Sequence, residues 1–276
     1  PGLEAGGALG SALGAAGDLD GDGVVDLLAG APGADAGGTD TGSVAVLSGA
    51  DGSMVRRFDG TVNRGQLGFA LASLGDIDGD GAEDILAGGP ETAGYGSGYV
   101  VVYSGATGTA LYERRLGFRG SRFGSAVACV GDLDGDLVPD FAVGAPRQDQ
   151  VGAIHLYSGA AGTKIRGHLG SGFLFGRLGT AVCGLGDVDQ DGVPDYCGGD
   201  PRAELYSREG ALTAFSGATG TPLWMVYGDG VDQELGAACA LLSPSTPLQQ
   251  AVVAAIGGPQ GGLWLKQGHN GRSLLN

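Results

Sequence analysis

The sequence predicts an all-β chain, a five-bladed β-propeller of four-stranded antiparallel blades. Three observations predict it: a recurring acidic loop, a repeat of 55 to 58 residues, and short apolar runs set among 59 glycines. At 276 residues the chain exceeds the usual single core but suits one all-β barrel or propeller. High glycine with 11 prolines can mean disorder, but disordered chains lack regular apolar runs, so the glycines read as turns between many short strands.

The acidic loop comes first because its chemistry is the most specific. Residues 18–26 read DLDGDGVVD, with carboxylates at loop positions 1, 3, 5 and 9: Asp18, Asp20, Asp22 and Asp26. Side chains so crowded repel one another unless a hard cation sits among them, and oxygen-only ligands at alternating positions suit Ca²⁺. Gly23 at position 6 supplies a positive φ that folds the loop back, after which the carbonyl of Val24 at position 7 turns inward as a further ligand. An EF-hand would place its last acid at position 12 between amphipathic helices; here the last acid is at position 9 and the flanks are short Ala/Val/Leu runs, so the loop joins strands.

A single copy would read equally well as an acidic surface turn. The spacing returns, however, in Asp76, Asp78, Asp80 and Asp84, in Asp132, Asp134, Asp136 and Asp140, and in Asp187, Asp189, Asp191 and Asp195. Ala82, Val138 and Val193 stand at position 7 of these copies. The recurrence sets coincidence aside, and the expectation is about four structural Ca²⁺.

Two rulers set the period. A glycine after an apolar residue recurs at Gly10, Gly68, Gly124, Gly179 and Gly236, with steps of 58, 56, 55 and 57. A proline corner recurs at Pro32, Pro90, Pro146, Pro201 and Pro259, with steps of 58, 56, 55 and 58. In the first unit a small-residue strand (11–16) leads into the acidic loop, and a second strand (26–30) ends at the corner, so the two make a hairpin around the metal. After a variable loop come GSVAVLSG (42–49), a turn, and a fourth strand near 53–58; later units echo the third strand as GYVVVYSG, GAIHLYSG and GALTAFSG. Four strands per unit place blades at about 1–58, 59–114, 115–169, 170–226 and 227–276 of one domain.

Phe123-Gly124, the loop from Asp132 to Asp140 and Gly144-Ala145-Pro146, with weaker forms elsewhere, resemble the FG-GAP repeat family, best known from the propeller head of integrin α subunits. The resemblance covers essentially the whole chain. It implies calcium in the hairpin between the first and second strands of a blade, but not an integrin, because those heads have seven blades. Three departures bear on the sites. Leu137 replaces the position-6 glycine of the third loop, which disfavours positive φ there and weakens that site; Gln190 replaces glycine at position 4 of the fourth, a milder change. In the fifth unit Ser245, Pro247, Gln249 and Val253 stand where the acids belong, so no metal is expected.

The formal charge is −16 from 31 acids and 15 bases, and the four loops hold 16 of those acids, so the acidity belongs to the metal sites. No basic patch is left to attract nucleic acid or an anionic membrane, and no apolar run approaches the ~20 residues of a membrane-spanning helix. The chain opens at Pro1 with neither initiator Met nor signal peptide, which reads as a mature or trimmed soluble chain. Sites of this kind fill at the high calcium levels outside cells, so the localisation inferred is extracellular or cell surface.

Cys183 and Cys197 lie on the two arms of the fourth hairpin, and two readings stand open: a disulfide, or buried thiols acting as small apolar residues. Cys129 and Cys239, on first strands of units that are not neighbours, are read as unpaired. His155, His168 and His269 share no spacing that suggests zinc or a catalytic triad, and Trp224 and Trp264 read as blade packing.

The function expected is non-enzymatic: a calcium-stabilised extracellular recognition or adhesion module. It would bind a protein through the variable loops opposite the calcium hairpins, which carry Tyr95, Phe118, Arg119, Arg122, Arg147, Phe173, Arg177, Arg202, Tyr206 and Arg208. The alternatives are a glycan-binding propeller of lectin type and, behind it, a lyase or hydrolase, which would need a convergent set of titratable groups, for example around His168. In the repeat register Asn276 aligns with Arg57 and Pro1 with Asp59, so a monomeric ring closing within one chain is expected.

Overall fold

The computed structural model describes residues 6–91, 96–170, 176–203, 209–228, 233–242, 251–256 and 263–267, with side chains described as far as Leu241. All regular structure in them is β apart from one 3₁₀ turn at Gln148–Gln150, and no helix is long and apolar enough to cross a membrane.

Four sheets of four antiparallel strands follow one another along the chain. The first holds β1 (Ala12–Ala15), β2 (Leu27–Ala31), β3 (Ser43–Leu47) and β4 (Met54–Asp59); the second holds β5 (Ala70–Gly75), β6 (Asp84–Gly89), β7 (Tyr99–Tyr103) and β8 (Ala110–Arg115). The third holds β9 (Ala126–Gly131), β10 (Asp140–Ala145), β11 (Ala153–Tyr157) and β12 (Lys164–Leu169); the fourth holds β13 (Ala181–Gly186), β14 (Asp195–Asp200), β15 (Ala211–Phe215) and β16 (Pro222–Tyr227). A fifth sheet has three described strands, β17 (Leu235–Leu242), β18 (Ala251–Ile256) and β19 (Leu263–Gln267). The expected fourth strand of this sheet, the Pro259 corner and most of the segment at which the fifth metal loop is lost lie outside the described residues.

Each sheet is a meander in chain order, so every acidic loop is the β-hairpin connection between its first two strands. The inner strands are the buried ones: β6, β10 and β14 are buried along their whole length, whereas β8, β12 and β16 alternate between exposed and half-buried. The sequence provides for this, because small and β-branched residues such as Val44, Ala45 and Val46 can be covered on both faces, while three of the four fourth strands carry basic residues: Arg56 and Arg57, Arg114 and Arg115, Lys164 and Arg166. One irregularity recurs: a register shift between the third and fourth strands falls at Val46/Leu47, Val102/Tyr103, Leu156/Tyr157 and Ala214/Phe215, the same place in each four-stranded sheet.

The chain divides into two compact units, residues 1–128 with 159–162, and residues 129–158 with 163–276. In the first unit, Leu28, Val44, Val46 and Phe58 of the first sheet pack with Ile85, Ala87, Tyr99 and Val101 of the second. Each such apolar side chain contributes about 1.5–3 kcal/mol by leaving water. The two sheets touch through backbone as well: Gly68 has φ 86°, and a Cβ added to Gly30 would sit 1.9 Å from the Gly68 carbonyl oxygen. The periodic glycine is therefore required twice over, by its left-handed backbone and by the close approach to the preceding sheet. In the second unit Cys183, Leu185, Val188, Cys197, Leu212, Ala214 and Leu235 form the core, with Trp224 packed against it.

Candidate metal centres

Each acidic loop closes on itself through its own carboxylates. In the first, Asp18 accepts the backbone N–H groups of Gly21 (2.7 Å) and Asp22 (3.1 Å) on one oxygen and that of Gly23 (2.8 Å) on the other, while Asp20 accepts from Asp22 and Asp22 from Val24. The second loop repeats the pattern with Asp76 accepting from Gly79, Asp80 and Gly81, and the third with Asp132 accepting from Gly135, Asp136 and Leu137. In the fourth, Asp187 accepts from Asp191 and Gly192. The loop geometry is thus set by Asx-type bonds at positions 1, 3 and 5, which leave carboxylate oxygens gathered on one side.

The gathering is close. In each loop, ligand oxygens of three aspartates lie within 4.8 Å of one another: Asp18, Asp20 and Asp22; Asp76, Asp78 and Asp84; Asp132, Asp134 and Asp136; Asp187, Asp189 and Asp195. The sequence pattern counts four carboxylates per loop, and the structure brings three together at that distance. The donor set is oxygen throughout, which suits a hard divalent cation and gives a soft one no preferred ligand.

The position-9 aspartates differ from the rest. Asp26, Asp84, Asp140 and Asp195 are buried, whereas most other loop carboxylates are exposed. Asp84 accepts the Ile77 N–H (2.8 Å) from its own loop and the Gly105 N–H (2.9 Å) from the turn between the third and fourth strands. Asp26 does the same with Leu19 and Gly49, and Asp195 with Val188 and Gly217. Burial pushes the Asp84 and Asp195 carboxyls upward in pKa, against the pull of these N–H donors. A serine of the same turn reaches back as well, Ser104 Oγ donating to Asp80 at 2.8 Å.

That turn is held from its other side by the preceding sheet. The Arg56 guanidinium on β4 donates to the carbonyls of Gly105 and Ala106, and Arg166 on β12 donates to those of Gly217 and Ala218. The sequence reading sought functional arginines only in loops and passed over these. The cue was an arginine at the same step of two fourth strands, opposite Val46 in one sheet and Leu156 in the other.

Leu137 stands where glycine was expected, and the chain takes the turn regardless, with φ 71° against 89° and 93° at Gly23 and Gly81. Its side chain is 89% exposed, so no packing compensates the left-handed backbone. Position 4 is left-handed too, at 81° in Gly21 and 65° in Gln190, which makes the Gln190 departure the same kind of strain as Leu137.

The other candidates separate. His155 is buried with Nε2 2.7 Å from the Gln148 side-chain oxygen, and burial lowers its pKa to about 4. His168 lies 2.6 Å from the Tyr196 hydroxyl and stacks on Phe215, and burial likewise holds it near 4. Its described partners are aromatic, not acidic. Of the variable-loop residues, Phe118, Arg119 and Arg147 are exposed, while Arg122, Arg177 and Arg202 are half-buried. The backbone N–H groups of Arg177 and Arg202 both bind the buried Asp200. Tyr95, Phe173, Tyr206, Arg208 and His269 lie outside the described residues, as does the Trp264 side chain.

The FG-GAP repeat family model matches residues 9–47, the stretch from the first periodic glycine region through the first acidic loop to the end of β3. Integrin alpha-V of Gallus gallus is 31% identical over 199 residues, and integrin alpha-8 of Mus musculus 29% identical over 201 residues, each alignment covering 66% of this chain. The chain is integrin-like and carries the FG-GAP repeat. It spans 19% and 18% of the length of those two relatives. Integrin alpha-PS2 of Drosophila melanogaster is 34% identical over 155 residues, 49% of this chain and 11% of its own. Among solved structures the FG-GAP chain is similar to the rhamnogalacturonan lyase YesW, with TM-score 0.55 and 17% identity over 95% of this chain and 50% of that one. It is also similar to the Dos1 propeller, with TM-score 0.53 and 12% identity over 88% of this chain and 52% of that one. At such identities the likeness shows the fold alone, an all-β array of the propeller kind.

Proposed function

We propose that this chain is a five-bladed, calcium-stabilised extracellular recognition module that binds a protein partner without catalysing a reaction. The observation that carries the calcium reading is the fourfold recurrence of three aspartate carboxylates within 4.8 Å, each on the same hairpin. Calcium would be held by Asp18, Asp20, Asp22 and Asp26 with the Val24 carbonyl, and by the corresponding residues of the other loops. Bound there, it supplies positive charge that the crowded carboxylates lack, and it takes no part in chemistry. The protein's own residues shape the site: Asx bonds gather the carboxylates, and in the first, second and fourth loops the position-9 aspartate ties the hairpin to the neighbouring turn.

The integrin relatives support recognition of a protein, and cell-surface exposure accords with calcium-filled loops. Recognition falls to the ends of the sheets away from the acidic hairpins, where Phe118, Arg119 and Arg147 are exposed; arginine and aromatic side chains there favour an acidic protein surface. The similarity to a lyase extends to the fold only, and of the two described histidines His155 is buried against Gln148 while half-buried His168 meets the Tyr196 hydroxyl.

Two measurements test this reading. Equilibrium dialysis against ⁴⁵Ca²⁺ should give about four equivalents, and retention of none would contradict the calcium assignment. Immobilised chain should then be screened against extracellular-matrix proteins and a glycan array. Protein binding weakened by Arg119→Ala or Arg147→Ala supports the reading, whereas binding confined to glycans replaces it with the lectin alternative.

A further inference from the structure

Three of the four cysteines converge, which the sequence reading did not anticipate for Cys239. Cys183 on β13 and Cys197 on β14 are directly opposite in register, with their sulfurs 3.0 Å apart and both thiols free. Cys239 on β17 brings a third sulfur from the next sheet, so that all three Sγ atoms lie within 4.8 Å of one another. Cys183 and Cys197 are buried and Cys239 is half-buried, and the surroundings are apolar: Leu185, Val188, Leu212 and Leu235. Among the described residues no histidine or carboxylate joins the group.

Buried thiols serving only as small apolar residues have no need to point at one another from three strands and two sheets. Here they do, and their protons are unevenly shared. S–H donation from Cys197 and Cys239 holds the Cys183 thiol well below its ordinary pKa, while hydrogen bonding and burial push Cys197 and Cys239 up. An apolar pocket that gathers sulfur and favours one thiolate calls for a compensating positive charge. Soft d¹⁰ cations bind such sulfur sets, whereas Ca²⁺ does not.

We propose that Cys183, Cys197 and Cys239 form a three-thiolate binding site for a soft d¹⁰ cation, separate in place and chemistry from the acidic loops. A divalent ion such as Zn²⁺ entering it would form three metal–sulfur bonds and release three protons to solvent, leaving one net negative charge on the cluster. Monovalent Cu⁺ reaches the same net charge by releasing two protons, the third sulfur staying a thiol.

The test uses the whole chain, reduced and freed of heavy metals, in calcium excess so that the acidic loops are filled. Titration with Cd²⁺ should give thiolate-to-cadmium charge-transfer absorption that saturates at one equivalent and should protect three of the four cysteines from alkylation. Cys129→Ser should keep the signal, and Cys239→Ser should reduce it. Subsequent addition of Zn²⁺ or, under anaerobic conditions, Cu⁺ should displace the cadmium, and the tighter competitor identifies the native class of ion. Absence of charge transfer on the wild-type chain, or full alkylation in the presence of Cd²⁺, would overturn the proposal even if a variant failed to fold. Isolation of a chain lighter by two hydrogens with Cys183 and Cys197 joined in one peptide would overturn it in favour of a structural disulfide.

Discussion

Asp84 and Gly105 are joined across the second sheet: the carboxylate at the end of the acidic loop accepts the Gly105 N–H at 2.9 Å, while the Gly105 carbonyl accepts from Arg56 of the first sheet. One residue thereby connects an acidic loop, a turn and the neighbouring sheet. Gly217 repeats the relation with Asp195 and Arg166. The acidic loops are therefore built into the contacts between successive sheets within each unit, rather than appended to them.

Asp84→Ala should destabilise the chain by about 3 kcal/mol in EDTA, because it leaves two buried N–H donors, those of Ile77 and Gly105, without partners. Asp78→Ala, at an exposed position of the same loop, should cost under about 1 kcal/mol under the same conditions. Guanidinium unfolding of the two variants distinguishes them. Equal losses would mean that Asp84 matters only as a metal ligand.

Arg56→Ala should cost about 1–2 kcal/mol through its two bonds to the turn carbonyls. A double-mutant cycle with Asp84→Ala should show coupling, because both side chains hold Gly105. Strict additivity would refute the shared-turn account.

Leu137→Gly should tighten calcium binding at the third loop by roughly fivefold, about 1 kcal/mol, since the left-handed backbone is already adopted and the exposed side chain contributes no packing. Calorimetry on a chain with the other loops disabled reads this directly. An unchanged affinity would show that the strain is relieved elsewhere.

His155 sets an acid limit. Its folded pKa, lowered to about 4 from 6.5 by burial, means that its contribution to stability is complete above pH 6.5 and is lost as pH falls toward 4. The loss approaches about 3 kcal/mol for a shift of this size. In saturating calcium, unfolding free energies of wild type and His155→Gln should converge over that interval as pH falls; parallel curves would contradict the assignment.

Much of this was legible in the sequence because glycine, proline and aspartate speak through local chemistry. Asp18, Asp20 and Asp22 fix their loop by bonds to residues within five positions, so their spacing alone revealed it. Strand placement was legible for the same reason: the third strand expected in 42–49 is Ser43–Leu47. What the sequence hid depends on pairing at a distance. The division of labour between Asp84 and the outer loop carboxylates requires knowing that Gly105 lies opposite. The meeting of Cys239 with Cys183 and Cys197 requires knowing that β17 packs beside β13. Leu137 showed the limit of propensity, because bonds such as that from its own N–H to Asp132 hold a backbone that leucine disfavours.

The central claim is that cations between these carboxylates hold the fold, and thermal unfolding in millimolar calcium against EDTA tests it most directly. At a hundredfold excess over its dissociation constant each independent site stabilises by about 2.7 kcal/mol, so several together rival the whole stability of a domain. The account predicts a large fall in the midpoint on chelation, reversed by adding calcium back; a midpoint unchanged by EDTA would contradict it.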